Sequence, residues 1–469
     1  MSSNDTDNQT IDNQQVPQSF SQFLAHAFSI LNPGREFIKH WHIGLITDVL
    51  QEVELGHVKR LVVNIPPRSL KSTIISVAWP AWLLAVNPSN KIIVTSYSQA
   101  LSIKHAQDTK MIMESDWYIH HYPKTIISKG KNTQRKFTTT MQGIRLAASV
   151  GSTLTGEGAD FIIVDDPQTA LQARSPAQSE KVKFWYNQTL LTRLNDTFKG
   201  RVIVVMQRLH EGDLTAHLHS KKGYAKLILP LHTTNSQQIK IGRIKAHRPA
   251  DHILYEGWTQ KELDALHKEF GSHTFAAQYQ QDPNLSSCTM IKRDWIKRYQ
   301  TLPNGLSVFQ SWDCAIKIGY KNDYSVCTTW GIHQDHYYLM NVLRKRLEYS
   351  ELRRCIVSCY EAYKPLAVLI EDKASGQQLL QEFHSTNVPV CAIMPEGSKE
   401  ARLLRASVHI ESGRVHYPVY ATWLKDYEEE LLRYPYIKHD DQIDSTTQFI
   451  CWAVAQQEVV DSYPKVTVL

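Results

Sequence analysis

The stretch NIPPRSLKSTIIS carries cations at positions that would suit the phosphates of a nucleotide. It follows an apolar run, and a phosphate-binding loop places a Lys on the β- and γ-phosphate oxygens and a hydroxyl on Mg²⁺, the roles open here to Lys71 and Ser72. The two positions that usually hold glycine are Ile65 and Leu70, while Arg68 adds a second cation. We therefore predict either a glycine-free ATP-binding loop or a plain turn whose cations face solvent.

Two further apolar runs end in polar side chains that suit the same chemistry. ADFIIVDDP ends in Asp165 and Asp166, and GRVIVVMQR ends in Gln207 and Arg208. At such a strand end the first acid can hold the Mg²⁺ water shell and the second can act as the base for an attacking water. Because the carboxyl ends of parallel strands meet at one sheet edge, the polar pair after the second run could sense the γ-phosphate. Together the three segments favour an NTPase site.

Acidic residues dominate a second set of candidates. They end two apolar runs and open the last helical run: Asp313, then Glu371 and Asp372, then Asp440, Asp441 and Asp444. Carboxylates from neighbouring strand ends and a helix can hold two Mg²⁺ ions about 4 Å apart for phosphodiester cleavage. The helix dipole alone favours acids in a first turn by about 0.3–1 kcal/mol each, but it does not explain the acids at the strand ends. We therefore predict a metal-dependent nuclease site.

The elements that must position these residues fall into two groups. Short apolar strands alternate with helical segments from about residue 60, which predicts a parallel-sheet α/β domain over 21–285 after a disordered polar tail at 1–20. Pro, Ser, Asn and Gly gather over 286–305, as in a linker. Residues 306–469 show three strands in succession and then alternating helices and strands, the βββαβαβ order of an RNase H-like α/β nuclease domain. The predicted fold class is a P-loop-type ATPase domain followed by that nuclease domain.

Composition limits the class of protein without naming it. An apolar fraction of 42% and the lack of any apolar run of spanning length argue against a membrane protein. The start lacks the basic and apolar blocks of a signal peptide, so we expect a cytosolic protein whose seven cysteines, none in a CxxC pair, are reduced. A net charge of +6 suits contact with a polyanion but is too small to decide the matter.

Seven segments, in this order, resemble the large terminase subunit of tailed double-stranded DNA phages: VNIPPRSLKST, GSTLTGEGADFIIVDDP, VVMQRLHEGDL, YQQDPN, SWDCAIKIGYKNDYSVCTTWG, VLIEDKASGQ and HDDQIDS. The resemblance covers nearly the whole chain after the tail. It implies an ATP-driven motor that moves double-stranded DNA into a procapsid and a metal-dependent endonuclease that cuts concatemeric DNA. The implied cofactors are ATP and Mg²⁺, with Mn²⁺ as an alternative at the nuclease site.

The resemblance also implies roles for individual residues. ATP and its Mg²⁺ would be held by Pro67, Arg68, Ser69, Lys71, Ser72, Thr73 and Asp165. Asp166 would be the catalytic base, with Arg68 and Gln207 as further catalytic residues, the latter in the motif that couples hydrolysis to DNA movement. The nuclease metal ligands would be Asp313, Glu371 and Asp441, with Asp440 and Asp444 as rivals for the third place and Asp372 for the second.

The partners that the resemblance implies are double-stranded DNA, a portal protein and a small terminase subunit. The family's motor acts as a homo-oligomeric ring on the procapsid, from a chain that is a monomer in solution. The implied location is the host bacterial cytoplasm, with a transient stay at the portal and no place in the mature virion.

Two positions differ from many relatives, and two other functions stay open. Leu70 replaces a glycine, and Asp166 replaces a catalytic Glu that is one methylene longer. A slower ATPase, or an inactive prophage or capsid-associated remnant, is therefore one alternative. A helicase-nuclease of DNA repair is the other, and it would separate DNA strands where a terminase would not.

Weaker candidates complete the prediction. Arg145 suits either an arginine finger for a neighbouring subunit or a surface position. Trp41 and His42 suit either an adenine platform or core packing. Four lysines could follow a DNA backbone or simply be solvated: Lys317, Lys321, Lys373 and Lys399.

Overall fold

The structure is a computed structural model and describes residues 19–283, 290–314, 324–372, 375–437 and 439–462. The chain divides into two compact units, one of Met1–Thr259 with Ala277–Asp282 and one of Gln260–Ala276 with Pro283–Leu469. The second unit thus contains a segment from within the range 21–285 that the sequence assigns to one domain.

The first unit is built on a large sheet. Its strands are β1 Arg60–Asn64, β2 Lys91–Ser96, β3 Ile127–Asn132, β4 Lys136–Thr139, β5 Ile144–Ser149, β6 Phe161–Asp165, β7 Arg201–Met206 and β8 Ala225–Ile228. They lie in the order β3-β4-β5-β2-β6-β7-β1-β8. The run from β5 to β8 is parallel, and β3 and β4 form an antiparallel edge. As a result β7 lies between the strand that precedes the phosphate loop and the strand that ends in two acids.

Helices and two small strand pairs complete the first unit. The helices are α1 Phe20–Leu31, α2 Trp41–Glu54, α3 Trp79–Val86, α4 Gln99–Met113, α5 Asp116–His121, α6 Ala170–Arg174, α7 Pro176–Trp185 and α8 Leu214–His219. The small pairs join β9 His232–Thr233 with β12 His252–Ile253, and β10 Gln237–Ile241 with β11 Ile244–Arg248. α7 begins after Ser175, whose Oγ accepts the backbone N–H of Gln178 at 3.5 Å as a helix cap.

The central strands are apolar throughout because both faces of the sheet are covered. All residues of β6 are buried, as are those of β1, β2 and β7 after their first residue. Parallel sheets with crossover helices require this continuous apolar pattern. The same pattern made these strands visible in the sequence.

The second unit has its own sheet. Its strands are β13 Lys297–Tyr299, β14 Ser307–Asp313, β15 Ser325–His333, β16 His336–Lys345, β17 Ala367–Glu371, β18 Val390–Ile393 and β19 Val415–Pro418. They lie in the order β13-β19-β16-β15-β14-β17-β18. The helices are α9 Gln260–Thr274, broken at Gly271, then α10 Tyr349–Tyr363, α11 Ser375–Phe383, α12 Lys399–Glu411, α13 Leu424–Arg433 and α14 Asp441–Ser462. The predicted order of three strands followed by helix and strand alternation is present from β14 to β18.

The segment predicted as a linker carries ordered structure where it is described. Ile291 is buried in the core of the second unit, and β13 pairs in parallel with β19. Part of 286–305 therefore belongs to the second sheet, although its Pro and Gly content resembled a linker. Of the predicted tail, residues 1–18 lie outside the described residues, and α1 begins at Phe20 with Ser19 as its cap.

The described ranges also contain three π-helical turns. A π-helical turn over Thr73–Ala78 leads into α3, and others cover Tyr186–Leu190 and Phe275–Tyr279. The six cysteines of the described ranges are free thiols, and Cys288 lies outside them. Among the helices of those ranges, none combines the length and apolarity needed to cross a bilayer.

Candidate active sites

The phosphate loop adopts left-handed backbone conformations without glycine. Arg68 has φ 66° and Leu70 has φ 60°, the region that glycine enters at no steric cost. A side chain in this region costs about 1–2 kcal/mol, so the loop is held there by other contacts. Leu70 therefore takes the conformation that a glycine at this position would supply.

Side chains on both sides hold the loop. Ser69 Oγ donates to the carbonyl oxygen of Pro66 at 2.7 Å, and the Tyr255 hydroxyl donates to that of Pro67 at 3.0 Å. Thr73 begins the π-helical turn directly after the loop. These two hydrogen bonds help to stabilise the left-handed backbone that glycines would otherwise adopt without cost.

The strands that border this loop end level with one another. In the register of the sheet, Asn64 of β1 pairs with Met206 of β7, and Asp165 of β6 pairs with Val205 of β7. The segments that follow these strands therefore leave the sheet at the same edge, as the sequence predicts.

Lys71 joins the three segments. It is 7% exposed, its Nζ lies 3.1 Å from Oδ1 of Asp166, and it donates a short hydrogen bond to Oε1 of Gln207. Burial raises the pKa of Asp166 to about 6, with Lys71 opposing the shift. The structure thus brings the Lys71 ammonium group into contact with both the Asp166 carboxyl, whose pKa is about 6, and the Gln207 amide.

Asp165 is fitted to hold a cation. It is fully buried, and burial raises the pKa of its carboxyl while Lys71 and the Ser76 and Ser72 hydroxyls lower it. Even so, neither carboxylate oxygen has a hydrogen-bond partner at normal geometry among the described residues, and Nδ1 of His105 is 3.7 Å from Oδ2. A buried acid with both oxygens unbonded suits a Mg²⁺ ion with its water shell.

Two arginines lie elsewhere than the sequence suggested. Nε of Arg208 is 3.0 Å from Oδ2 of the buried Asp213, so its charge is neutralised inside the fold rather than offered to a γ-phosphate. Arg145 is fully buried and its Nη2 is 3.5 Å from the carbonyl oxygen of Ser76. Both interpretations of Arg145 were wrong, because a side chain inside the core neither faces solvent nor reaches another subunit.

The Trp41 and His42 pair makes packing contacts. His42 is 1% exposed with Nδ1 3.4 Å from the Leu254 carbonyl oxygen, and burial lowers its pKa to about 4. The guanidinium of Arg248 lies 5.9 Å from the ring centre of Trp41. These contacts favour the core-packing interpretation.

The second site lies in the other unit, where two strands and a helix converge. β14 and β17 are parallel neighbours with Trp312 opposite Ile370, so Asp313 and Glu371 end adjacent strands side by side. α14 is bound to β14 by reciprocal hydrogen bonds, Ser445 Oγ to the Ser311 carbonyl at 2.7 Å and Ser311 Oγ to the Ser445 carbonyl at 2.8 Å. The amino end of α14 and its acids are thereby held beside these strand ends.

The acids of this site repel one another. Burial raises the pKa of Asp313 well above its usual range, and the charges of Asp444, Asp441 and Glu371 add to the shift. Burial likewise raises the pKa of Asp441. A divalent cation would relieve this repulsion, and carboxylate oxygens are the donors that Mg²⁺ and Mn²⁺ take.

Two of the acids, Asp440 and Asp444, form ion pairs with basic side chains. Lys399 Nζ lies 2.8 Å from Oδ1 of Asp440 and 2.5 Å from Oδ2 of Asp444. Arg402 Nη2 lies 2.7 Å from the other oxygen of Asp444. Within the described ranges, no three His, Cys, Asp or Glu side chains converge closely enough to hold a metal ion.

Asp441 is less engaged than its rivals for the third place. Its Oδ2 is 3.7 Å from Arg344 Nη2 and lacks a hydrogen-bond partner in the described part of the chain. Similarly, Glu371 lines a cavity of about 270 Å³ that Asp444 also lines, whereas Asp372 lines a separate cavity with His384. The cavity of Glu371 is also lined by Gln448 and Cys451 of α14, whereas no described residue of α14 lines the cavity of Asp372.

Several contributors were missed from the sequence. Glu430 of α13 accepts the backbone N–H groups of Gln442 at 2.7 Å and Ile443 at 3.2 Å, and so caps α14. Arg402 and His105 were missed for the same reason, since each acts on an acid that is distant in the chain. No local sequence signal could have found them. The lysines Lys317, Lys321 and Lys373 lie outside the described residues.

The chain is similar in fold to known proteins. Residues 310–452 match a family described as the terminase RNaseH-like domain. A large terminase from a thermophilic bacteriophage (crystal form 2) is 10% identical, with 93% of this chain and 99% of that chain covered and a TM-score of 0.52. The same terminase in complex with ATP-gamma-S is 9% identical, with 92% and 98% covered and a TM-score of 0.50. No curated protein sequence matches the chain.

Fold and sites together define a two-unit α/β chain with a phosphate-loop sheet in one unit and an RNase H-like sheet in the other. The chain has the fold of a phage large terminase subunit, and residues 310–452 of its second unit match the terminase RNase H-like domain. The predicted fold class is confirmed.

Proposed function

We propose that this chain is the large subunit of a phage terminase, which hydrolyses ATP to move double-stranded DNA into a procapsid and cuts concatemeric DNA with a metal-dependent nuclease. The observation that carries the proposal is the meeting of Lys71, Asp166 and Gln207 at the ends of adjacent strands. The thermophilic-phage terminase, which shares the fold, is known in complex with ATP-gamma-S.

In the ATPase site, each residue has a task that its position supports. The loop over Pro67, Arg68, Ser69 and Thr73 would surround the phosphates, while Lys71 would bind their oxygens and Ser72 and Asp165 the Mg²⁺. Asp166 would orient and deprotonate the attacking water. Since Lys71 contacts both Asp166 and Gln207, an incoming triphosphate competes with them for the same ammonium group. Binding of ATP would thus free Asp166 and Gln207 from this ammonium group together.

In the nuclease site, Asp313, Glu371 and Asp441 are the proposed ligands of the divalent cation, Mg²⁺ or Mn²⁺. Their side chains would have to move closer together to hold it, because no three such groups of the described ranges converge on one point. The bound ion would activate water and stabilise charge on the phosphate. Asp440 and Asp444 keep their ion pairs with Lys399 and Arg402 and so orient the basic groups beside the cleavage point.

The partners that we propose are double-stranded DNA, a portal protein and a small terminase subunit. The chains, monomers in solution, would assemble as a ring on the procapsid. The place of action is the host cytoplasm and the portal, with none of the protein retained in the virion.

Two substitutions in the full chain test the function. Lys71→Ala should lower ATP hydrolysis about 100-fold or more while leaving Mg²⁺-dependent plasmid cleavage intact. Asp313→Ala should abolish cleavage and leave ATP hydrolysis intact. Equal ATPase rates in the parent and Lys71→Ala would support an inactive remnant, and ATP-dependent strand separation would support a repair helicase instead.

A further inference from the structure

The hairpin formed by β10 and β11, here called the basic ribbon, has two different faces. One face is largely buried, with Ile239 7%, Ile241 4% and Arg248 0% exposed. The opposite face is exposed and consists of polar and cationic side chains: Gln238, Lys240, Lys245 and His247. The ribbon is therefore anchored on one side and presents positive charge on the other.

Lys240 and Lys245 stand directly opposite each other in the ladder. Like charges in facing cross-strand positions destabilise a hairpin. Within the described part of the chain neither lysine has an ion pair with an acid. Proteins keep a locally destabilising arrangement of this kind, two facing lysines without a neutralising acid, mainly at functional sites.

The ribbon is also held in place by its turn. The backbone N–H of Arg243 donates to Oε2 of Glu52 at 2.8 Å, and Glu52 is 6% exposed. Gly242 has φ 57°, and a Cβ at this position would lie 2.5 Å from the same carboxylate oxygen. The turn thus requires glycine and is hydrogen-bonded to α2 through Glu52. The cationic face is therefore ordered before a ligand binds to it.

We propose that the basic ribbon binds the phosphate backbone of double-stranded DNA, an inference that rests on the proposed function. Its exposed face holds no apolar side chain among the described residues, whereas a protein partner would need an apolar or aromatic centre of contact. Phosphate contacts carry no sequence information, which suits a motor that moves over any sequence.

The ribbon is separated from the ATP site within the same unit. Its turn lies against Val58, near the amino end of β1, because a Cβ on Gly242 would be 3.2 Å from Val58 Cγ2. The phosphate loop follows the carboxyl end of β1. Substitutions on the exposed face should therefore leave basal ATP hydrolysis unchanged.

The test measures binding of the full chain to a short random-sequence duplex in EDTA, by fluorescence anisotropy over a range of salt concentrations. In the double variant Lys240→Gln/Lys245→Gln, the slope of log affinity against log salt should fall by about 2 and the affinity at low salt by about tenfold. Basal ATP hydrolysis should match the parent, and the Tm should be equal or higher because the facing like charges are gone.

A matched control removes the same charge elsewhere. Lys124 and Lys181 are exposed residues of the first unit outside the ribbon, and Lys124→Gln/Lys181→Gln should keep the parental slope. An equal loss in this control would overturn the proposal. An unchanged salt slope in the ribbon variant would also overturn the proposal. It would favour an acidic protein surface as the partner of the ribbon instead. A parent chain without ATP hydrolysis and DNA cleavage would instead contradict the proposed function, a result independent of the ribbon variant.

Discussion

Leu70 occupies the backbone conformation in the phosphate loop that its own residue type disfavours, with φ 60°. We expect Leu70→Gly to change the free energy of unfolding by no more than about 1 kcal/mol, because relief of the strain offsets the greater freedom of glycine in the unfolded chain. ATP turnover should be equal or higher. Urea unfolding and a steady-state ATPase assay measure the two effects.

Leu70→Val is the matched comparison. A β-branched residue enters the left-handed region at a higher cost, so this variant should lose about 1–2 kcal/mol of stability and bind ATP more weakly. If Val were tolerated better than Gly, the loop conformation described for Leu70 would be wrong.

Asp313 is a residue whose ionisation opposes folding. Its pKa is raised by burial and then by neighbouring acids, so between its unfolded and folded pKa values the native state binds more protons than the unfolded state. The resulting penalty is small near pH 4 and grows as pH rises. In EDTA, Asp313→Asn should therefore raise stability by about 1–2 kcal/mol at pH 8 and by much less near pH 4.

Calorimetry with and without Mn²⁺ measures this effect. The parent should gain Tm on addition of Mn²⁺, and Asp313→Asn should gain little, because a ligand has been removed. Lower stability of the variant at pH 8 in EDTA would show that the acids do not repel one another as described.

At the scale of elements, the amino end of α14 depends on a residue from another helix. Glu430 accepts two backbone N–H groups of α14, and its Oε2 accepts the side-chain amide of Gln442 at 2.6 Å. Glu430→Ala would leave these buried donors unpaired. We expect a loss of about 1–3 kcal/mol in urea unfolding and weaker Mn²⁺ binding by calorimetric titration, since α14 carries Asp441.

The preceding residue provides the control. Glu429 has an exposed ion pair with Arg433 at 2.7 Å, within one turn of the same helix. Glu429→Ala should cost less than about 0.5 kcal/mol and leave Mn²⁺ affinity unchanged. Equal effects of the two substitutions would mean that the cap does not position the metal acids.

Elements were predicted well where a period of apolar residues marks them and poorly where it does not. β1, β6, β7, β14 and β17 are visible because their buried residues are consecutive or alternate. β13 was not predicted because it has three residues and its pairing partner β19 lies more than a hundred positions later. The composition of residues 286–305 resembled a linker because Pro, Ser, Asn and Gly are frequent both in linkers and in the turns of a folded unit.

At the scale of the whole molecule, the second unit takes a helix from the middle of the chain. Ser272, at the end of α9, donates its backbone N–H to Oε2 of Glu411 at 2.8 Å, and Nε2 of His273 lies 3.0 Å from the Met290 carbonyl oxygen. A fragment of residues 260–469 should therefore unfold at a higher urea concentration than a fragment of 283–469. The free energy of unfolding should be larger by about 1–3 kcal/mol.

Circular dichroism and urea titration of the two fragments measure this difference. Glu411→Ala in the longer fragment should remove part of the gain, because it breaks the bond to Ser272. Identical midpoints for both fragments would show that α9 adds no stability to the second unit.

The amino-acid sequence by itself determined the strand ends, the residue types that follow them and the order of the two sheets, because burial imposes a period that neighbouring residues share. It also placed Asp166, Asp313 and Glu371 at those ends and Lys71 in the loop that follows β1. Only the tertiary structure decided how the site residues are paired: Lys71 with Gln207, Arg208 with Asp213, and Asp444 with Lys399 and Arg402. A buried polar group must find a partner, and that partner comes from whichever segment folding brings near. A local sequence pattern therefore could not rank Asp440, Asp441 and Asp444 as the third metal ligand. All three lie at the start of one helix and differ in the cations that distant segments bring near them.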